Sequence, residues 1–179
     1  PNPKSHFALT NARAMTPERF TGELGSHISG RVGADRDILL YVHGFNTSLE
    51  EARLRLTQIA VDARFGGVPV LFTWPSESGM LSYVSAKERA TASRDALQGL
   101  IRDLAAVPGV GRVHVLAHSM GSWLAMEALR ENALAGNASL DGRLGDVMLA
   151  APDIDLGVFR QQMARLGSAA RVSIFVSRG

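Results

Sequence analysis

Five short apolar runs alternate with stretches of helical periodicity along this chain, and that alternation restricts the fold more than any other feature. The runs are DILLYV (37–42), VPVLFT (68–73), RVHVLA (112–117), DVMLAA (146–151) and RVSIFV (171–176). The first is almost continuously apolar, as strands buried on both faces of a parallel sheet are. Thr16-Pro17-Glu18 opens a helix running to about Ser29, with proline at its first position, and residues 30–35 read as loop. Ser48 and Glu51 have capping-box spacing ahead of the apolar face Ala52, Leu56, Ile59, Ala60 and Ala63, and Gly66-Gly67 is expected to end that helix. Ser85 and Glu88 repeat the spacing before Leu97, Leu100, Ile101 and Leu104, a stripe that Pro108-Gly109 stops, while Phe159, Met163 and Leu166 mark a further helix. The expected architecture is an open α/β fold, a mostly parallel sheet of about five strands with helices on both faces.

A chain of 179 residues is one domain by size, so residues 1–179 are read as one unit, with 1–35 a lead-in that carries the first helix. Apolar residues at 46% and charged residues at 20% are ordinary for a globular protein and exclude a disordered chain. The 19 basic and 17 acidic residues are scattered without runs, which gives no support to nucleic-acid or membrane-surface binding. No apolar stretch approaches the ~18 residues of a membrane span, and PNPKSHF does not read as a signal peptide. The absence of cysteine removes disulfides and thiolate ligands and leaves the compartment open, cytoplasmic or exported. No cluster has metal-ligand spacing, and the glycines around Val107 to Gly111 lack the order of a phosphate loop.

Chemistry concentrates at VHVLAHSMGSWLAMEAL (113–129), where a strand-like run gives way to helical recurrence at Met120, Leu124 and Ala128. Ser119 sits on that corner, with the small residues Ala117 and Gly121 two positions to either side. That is the pattern of a nucleophile elbow, G-x-S-x-G, with alanine in the first place. A serine at a helix start is more commonly an N-cap, so the neighbourhood has to decide. At a strand's carboxyl end, where open α/β sheets build their sites, such a corner leaves the Met120 amide free to donate to an oxyanion. HGFN, directly after the first strand, offers a second donor in the Phe45 amide, with Gly44 allowing close approach.

Together LLYVHGFNTSLEEA, PVLFTWPS, LAHSMGSWLAMEAL and LAAPDIDLGVF resemble a bacterial family of α/β-hydrolase-fold proteins of largely unassigned function, in the esterase/lipase superfamily. The resemblance covers most of residues 36–179. It implies Ser119 as nucleophile and Phe45 and Met120 as oxyanion donors, hence a serine hydrolase acting on a carboxylic ester or lipid, without a cofactor and with its oligomeric state open.

The base is the gap in that reading. Hydrolases of this fold order their triad serine, acid, histidine, and none of the five histidines (His6, His27, His43, His114, His118) follows Ser119. His118 adjoins the serine along the strand and should point away from its hydroxyl, His114 belongs to the strand interior, and His43 is expected to hold the HGFN loop by hydrogen bonds. Asp153 is the candidate acid, although it could instead brace its loop; Asp155 suits an N-cap. Two expectations stand side by side: a fold lacking its C-terminal end, with acid and histidine beyond residue 179, or a non-catalytic scaffold or interaction domain that keeps the elbow without the triad. Trp74, Met80, Leu81 and Tyr83 could wall an acyl pocket or simply pack beneath their loop.

Overall fold

The computed structural model describes residue 9 and residues 11–76 and 83–176. In chain order the elements are α1 (Pro17–Ile28), β1 (Ile38–Val42), α2 (Leu49–Asp62), β2 (Val68–Phe72), α3 (Tyr83–Ala105), β3 (Val113–His118), α4 (Met120–Leu134), β4 (Leu144–Ala150), α5 (Leu156–Leu166) and β5 (Arg171–Phe175). The five strands form one sheet in the order β2-β1-β3-β4-β5, every neighbouring pair parallel. Val42 lies beside Ala117, and Ala117 beside Leu149, so the carboxyl ends of β1, β3 and β4 finish at one level. The loop after β3 is thereby flanked by the loops after β1 and β4.

Alternation along the strands divides the core. Ile38, Leu40, Val42, Val113, Val115, Ala117, Val147 and Leu149 pack with Leu24 and Ile28 of α1, Leu97, Ile101 and Leu104 of α3, and Leu124 and Ala128 of α4. On the opposite face Leu39 and Tyr41 pack with Leu56 of α2, with Leu116 and Met148 only partly covered. Helix α4 is apolar almost all round, the mark of a helix at the centre of a core, and its Leu124, Ala125, Met126 and Ala128 are wholly buried. Fully burying one such leucine contributes about 1.5–3 kcal/mol.

At the sheet's other end the strands are stitched by polar groups. Asp37 accepts from the Arg112 amide at 2.8 Å and bonds His114 Nε2 at 2.9 Å. The Asp146 amide donates to His114 Nδ1 at 3.0 Å, and Arg171 Nε donates to the Asp146 carboxylate at 2.8 Å. His114 thus ties β1, β3 and β4 together at the end remote from the β3–α4 corner.

Two helix boundaries differ from the sequence expectation. Helix α2 stops at Asp62 and the chain turns through Arg64 at φ 49°, ahead of the glycine pair. Gly66 and Gly67 serve close approach instead: a Cβ on either would stand 2.2 Å from Asp35 Oδ1 or the Asp37 carbonyl respectively. Helix α3 already includes Tyr83, so Ser85 and Glu88 lie inside it. Ala86 and Ala90 are fully buried, and their packing sustains helix where a local capping signal would begin it. Ser48 and Glu51 do form their reciprocal capping box, Thr16 caps α1, and Asp155 caps α5.

Candidate active site

The corner at Ser119 is a strained backbone. Its φ of 54° and ψ of −127° lie where non-glycine residues are disfavoured, at a cost of about 1–3 kcal/mol. Three backbone bonds hold it: Ser119 N–H donates to the Ala150 carbonyl at 3.0 Å, and the Ser119 carbonyl accepts from Ser122 at 3.0 Å and Asp153 at 3.2 Å. The side chain makes no capping bond to α4, although the residue occupies the N-cap position. The residue is half-buried, and its hydroxyl is not committed to the helix start as that of an ordinary capping serine would be.

Two glycines allow the β1–α2 loop to meet this corner. A Cβ on Gly121 would sit 2.3 Å from the His43 carbonyl oxygen and 2.7 Å from that of Val42. A Cβ on Gly44 would sit 2.9 Å from His118 Nδ1 and 3.0 Å from Ser119 Cβ. Phe45, next in sequence, is brought beside the serine by that contact. Among the described residues, neither the Phe45 nor the Met120 amide donates to a carbonyl in a loop or cap. Phe45 lies in the turn that follows β1, and Met120 opens α4, where first-turn amides lack partners within the helix.

His43 fixes the loop from beneath. It is fully buried, and its ring lies parallel to Trp74 with centroids 5.5 Å apart. The Trp74 amide donates to Nε2 at 3.1 Å, so the proton is assigned to Nδ1, which donates to the Gly44 carbonyl at 3.0 Å. Trp74 Nε1 returns a bond to the His43 carbonyl at 2.9 Å. Ser76, also buried, accepts from the Thr47 amide at 3.3 Å and donates to the Thr47 carbonyl at 3.1 Å, and its own carbonyl receives Asn46 N–H at 3.0 Å. The only local signal of Ser76 is the TWPS exit of β2, legible once β2 is known to flank β1.

The other singled-out residues fall as follows. His118 lies on the α2 face, with burial first and the nearby Arg55 charge second pushing its pKa below the usual histidine value. His114 belongs to the remote stitching network, and His27 lies in the last turn of α1. His6, Met80 and Leu81 lie outside the described residues. The Asp153 carboxylate accepts from the Tyr83 hydroxyl, and the Tyr83 ring meets Phe45 edge-on at 5.7 Å and 70°. Trp74 is buried beneath the loop and lines a cleft of about 420 Å³ with Thr47, Leu49, Thr73, Pro75 and Ser76. Among the described residues no three histidine, aspartate or glutamate side chains gather as metal ligands, and no helix is long and apolar enough to cross a membrane.

A parallel sheet in this order, carrying a strained serine corner after β3, defines a protein of the α/β-hydrolase class. The family model described as "Alpha/beta hydrolase of unknown function (DUF900)" matches residues 18–179, and the chain belongs to that family. No curated protein matches it in sequence. Among solved structures it is similar to a predicted CIB-like hydrolase from Thermoplasma acidophilum, at 13% identity and a TM-score of 0.45, covering 83% of this chain and 79% of that one.

Proposed function

We propose that the protein is a serine hydrolase of carboxylic esters in which Ser119 is the nucleophile and the Phe45 and Met120 amides hold the oxyanion. The observation that carries this reading is the strained Ser119 backbone, whose side chain makes no capping bond and whose Cβ lies against Gly44. Strain of this kind persists where the surroundings over-determine it, and it aims a side chain that a relaxed turn would not. In the reaction the Ser119 oxygen bonds to the acyl carbon, the carbonyl π electrons move onto oxygen, and the two amides stabilise that charge before the alcohol leaves. Water then attacks the acyl-enzyme and releases the acid. Each amide is worth about 3 kcal/mol of transition-state stabilisation.

The hydroxyl proton needs an acceptor. On this reading it goes to a histidine oriented by a carboxylate, the two following the serine in the chain order usual for this fold. Asp153 remains the alternative source of that carboxylate. The second reading, a non-catalytic scaffold, is favoured by one observation: the sequence has no histidine after Ser119. His43, moreover, has both ring nitrogens engaged, Nδ1 by the Gly44 carbonyl and Nε2 by the Trp74 amide.

Labelling with a neutral fluorophosphonate, read by intact mass and peptide mapping, separates the two. An adduct on Ser119 that disappears in Ser119→Ala supports the nucleophile, and p-nitrophenyl ester turnover in the C-terminally extended form supports the hydrolase. No adduct and no turnover in either form leaves the scaffold.

A further inference from the structure

We propose that Tyr83 is a specificity-determining residue: its bond to Asp153 straps the mouth of the Ser119 site, admitting compact ester groups and hindering bulky ones. The proposal rests on the reading of Ser119 as nucleophile.

The strand order β1-β3-β4 puts the Gly44–Phe45 loop on one side of Ser119 and the Asp153 loop on the other. Tyr83 reaches both. Its ring stands edge-on to Phe45, and its hydroxyl donates to the Asp153 carboxylate. The circuit closes through Ser119 itself, because the Asp153 amide donates to the Ser119 carbonyl at 3.2 Å while Gly44 packs against Ser119 Cβ. Gly44, Phe45, Tyr83 and Asp153 thus flank Ser119 in one connected chain of contacts.

The strap has a fixed root and a soft tip. Tyr83 lies in the first turn of α3, whose buried Ala86 and Ala90 belong to the main core. Arg89 Nε donates to the Pro75 carbonyl at 2.8 Å, and the Lys87 ammonium stands 6.0 Å from the centre of the Trp123 ring of α4. The backbone at position 83 is thus held by the helix, and opening the strap falls to side-chain rotation. At the tip both partners are exposed, Tyr83 by 42%, so water replaces the bond readily and folding does not depend on it. A compact substrate leaves the strap closed, whereas a branched or aryl group has to displace the phenol. The bond to Asp153 also raises the Tyr83 pKa, with burial and the carboxylate charge adding to the rise.

Two measurements test this on the full chain. The first compares second-order rates of Ser119 phosphonylation by a compact neutral phosphonofluoridate and by one carrying a branched alkoxy group and an aryl ring. Tyr83→Ala is expected to raise the bulky-to-compact rate ratio about tenfold, with Tyr83→Phe, which loses only the hydroxyl, giving a smaller rise. The second labels the two tyrosines at ¹³Cζ and follows their titration by NMR, Tyr83 being assigned from Tyr83→Phe. Asp153→Asn is expected to lower the Tyr83 midpoint toward that of free tyrosine. If the compact probe reacts and the ratio is the same in all three proteins, or if Asp153→Asn leaves the midpoint in place, the strap is wrong and the nucleophile stands. If neither probe modifies Ser119, the nucleophile falls and the strap with it.

Discussion

At the scale of single residues, Ser119 trades stability for placement. Glycine adopts its φ of 54° without penalty, so Ser119→Gly is expected to raise stability by about 1 kcal/mol once the extra chain entropy of glycine is deducted, although all labelling is lost. Ser119→Ala loses labelling without that gain. Urea denaturation of the two variants beside the parent checks the order, and a less stable glycine variant would remove the strain from the argument. His118 carries a pH dependence of definite sign. Burial and Arg55 favour its neutral form in the folded state, so the unfolded chain binds the extra proton first. The contribution is fully present above the unfolded pKa of about 6.5 and is lost as pH falls from there through the lowered folded value. Denaturation midpoints between pH 8 and 5, about the span in which histidine titrates, should therefore fall less steeply in His118→Gln than in the parent.

At the scale of elements, the contact between the β1 exit loop and the start of α4 depends on absent side chains. Gly121→Ala would drive a methyl into two backbone carbonyls, His43 and Val42, which cannot rotate away. Overpacking of this kind costs about 1–3 kcal/mol, and thermal unfolding should register it. Gly44→Ala is milder, because its nearest neighbours at 2.9–3.0 Å include the His118 ring, which can shift a little. Its expected effect lies in chemistry: displacing the Phe45 amide should lower ester turnover about 100-fold, the cost of one oxyanion donor, with less change in KM than in kcat. A variant that folds and turns over normally would move the second donor elsewhere. Below the loop, His43, Trp74 and Ser76 form a polar support whose members come from three separate positions around β1 and β2.

At the scale of the whole molecule, the sheet's two ends differ in kind. The end holding His114 is closed by Asp37, Asp146 and Arg171, whereas the Ser119 end carries the strained corner and its flanking loops. The sheet's edges differ too. On β5 and just after it, Ile174, Phe175 and Val176 are 49%, 56% and 72% exposed. An apolar edge strand invites pairing with another chain, so the protein is expected to associate as its concentration rises. Light scattering against concentration should show Phe175→Lys suppressing that association, and equal scattering from both proteins would discount the edge.

The layering and the corner are written locally in the chain, because strand and helix periods and the small residues around Ser119 are local patterns. DILLYV is apolar at successive positions since both faces of β1 are covered, and Ala117 and Gly121 are small because a sharp bend leaves no room for more. Helix boundaries were legible where a cap satisfies its own backbone, as at Thr16, Ser48 and Asp155, and were misread where distant packing intervenes, as at Ala86 and Ala90. No local pattern announces that Gly66 and Gly67 make room for Asp35 and the Asp37 carbonyl, that Ser76 supports the HGFN loop, or that Tyr83 reaches Asp153 across 70 residues. Such contacts follow from strand order, which is fixed by the summed burial of whole elements and leaves no mark at the individual positions it brings together.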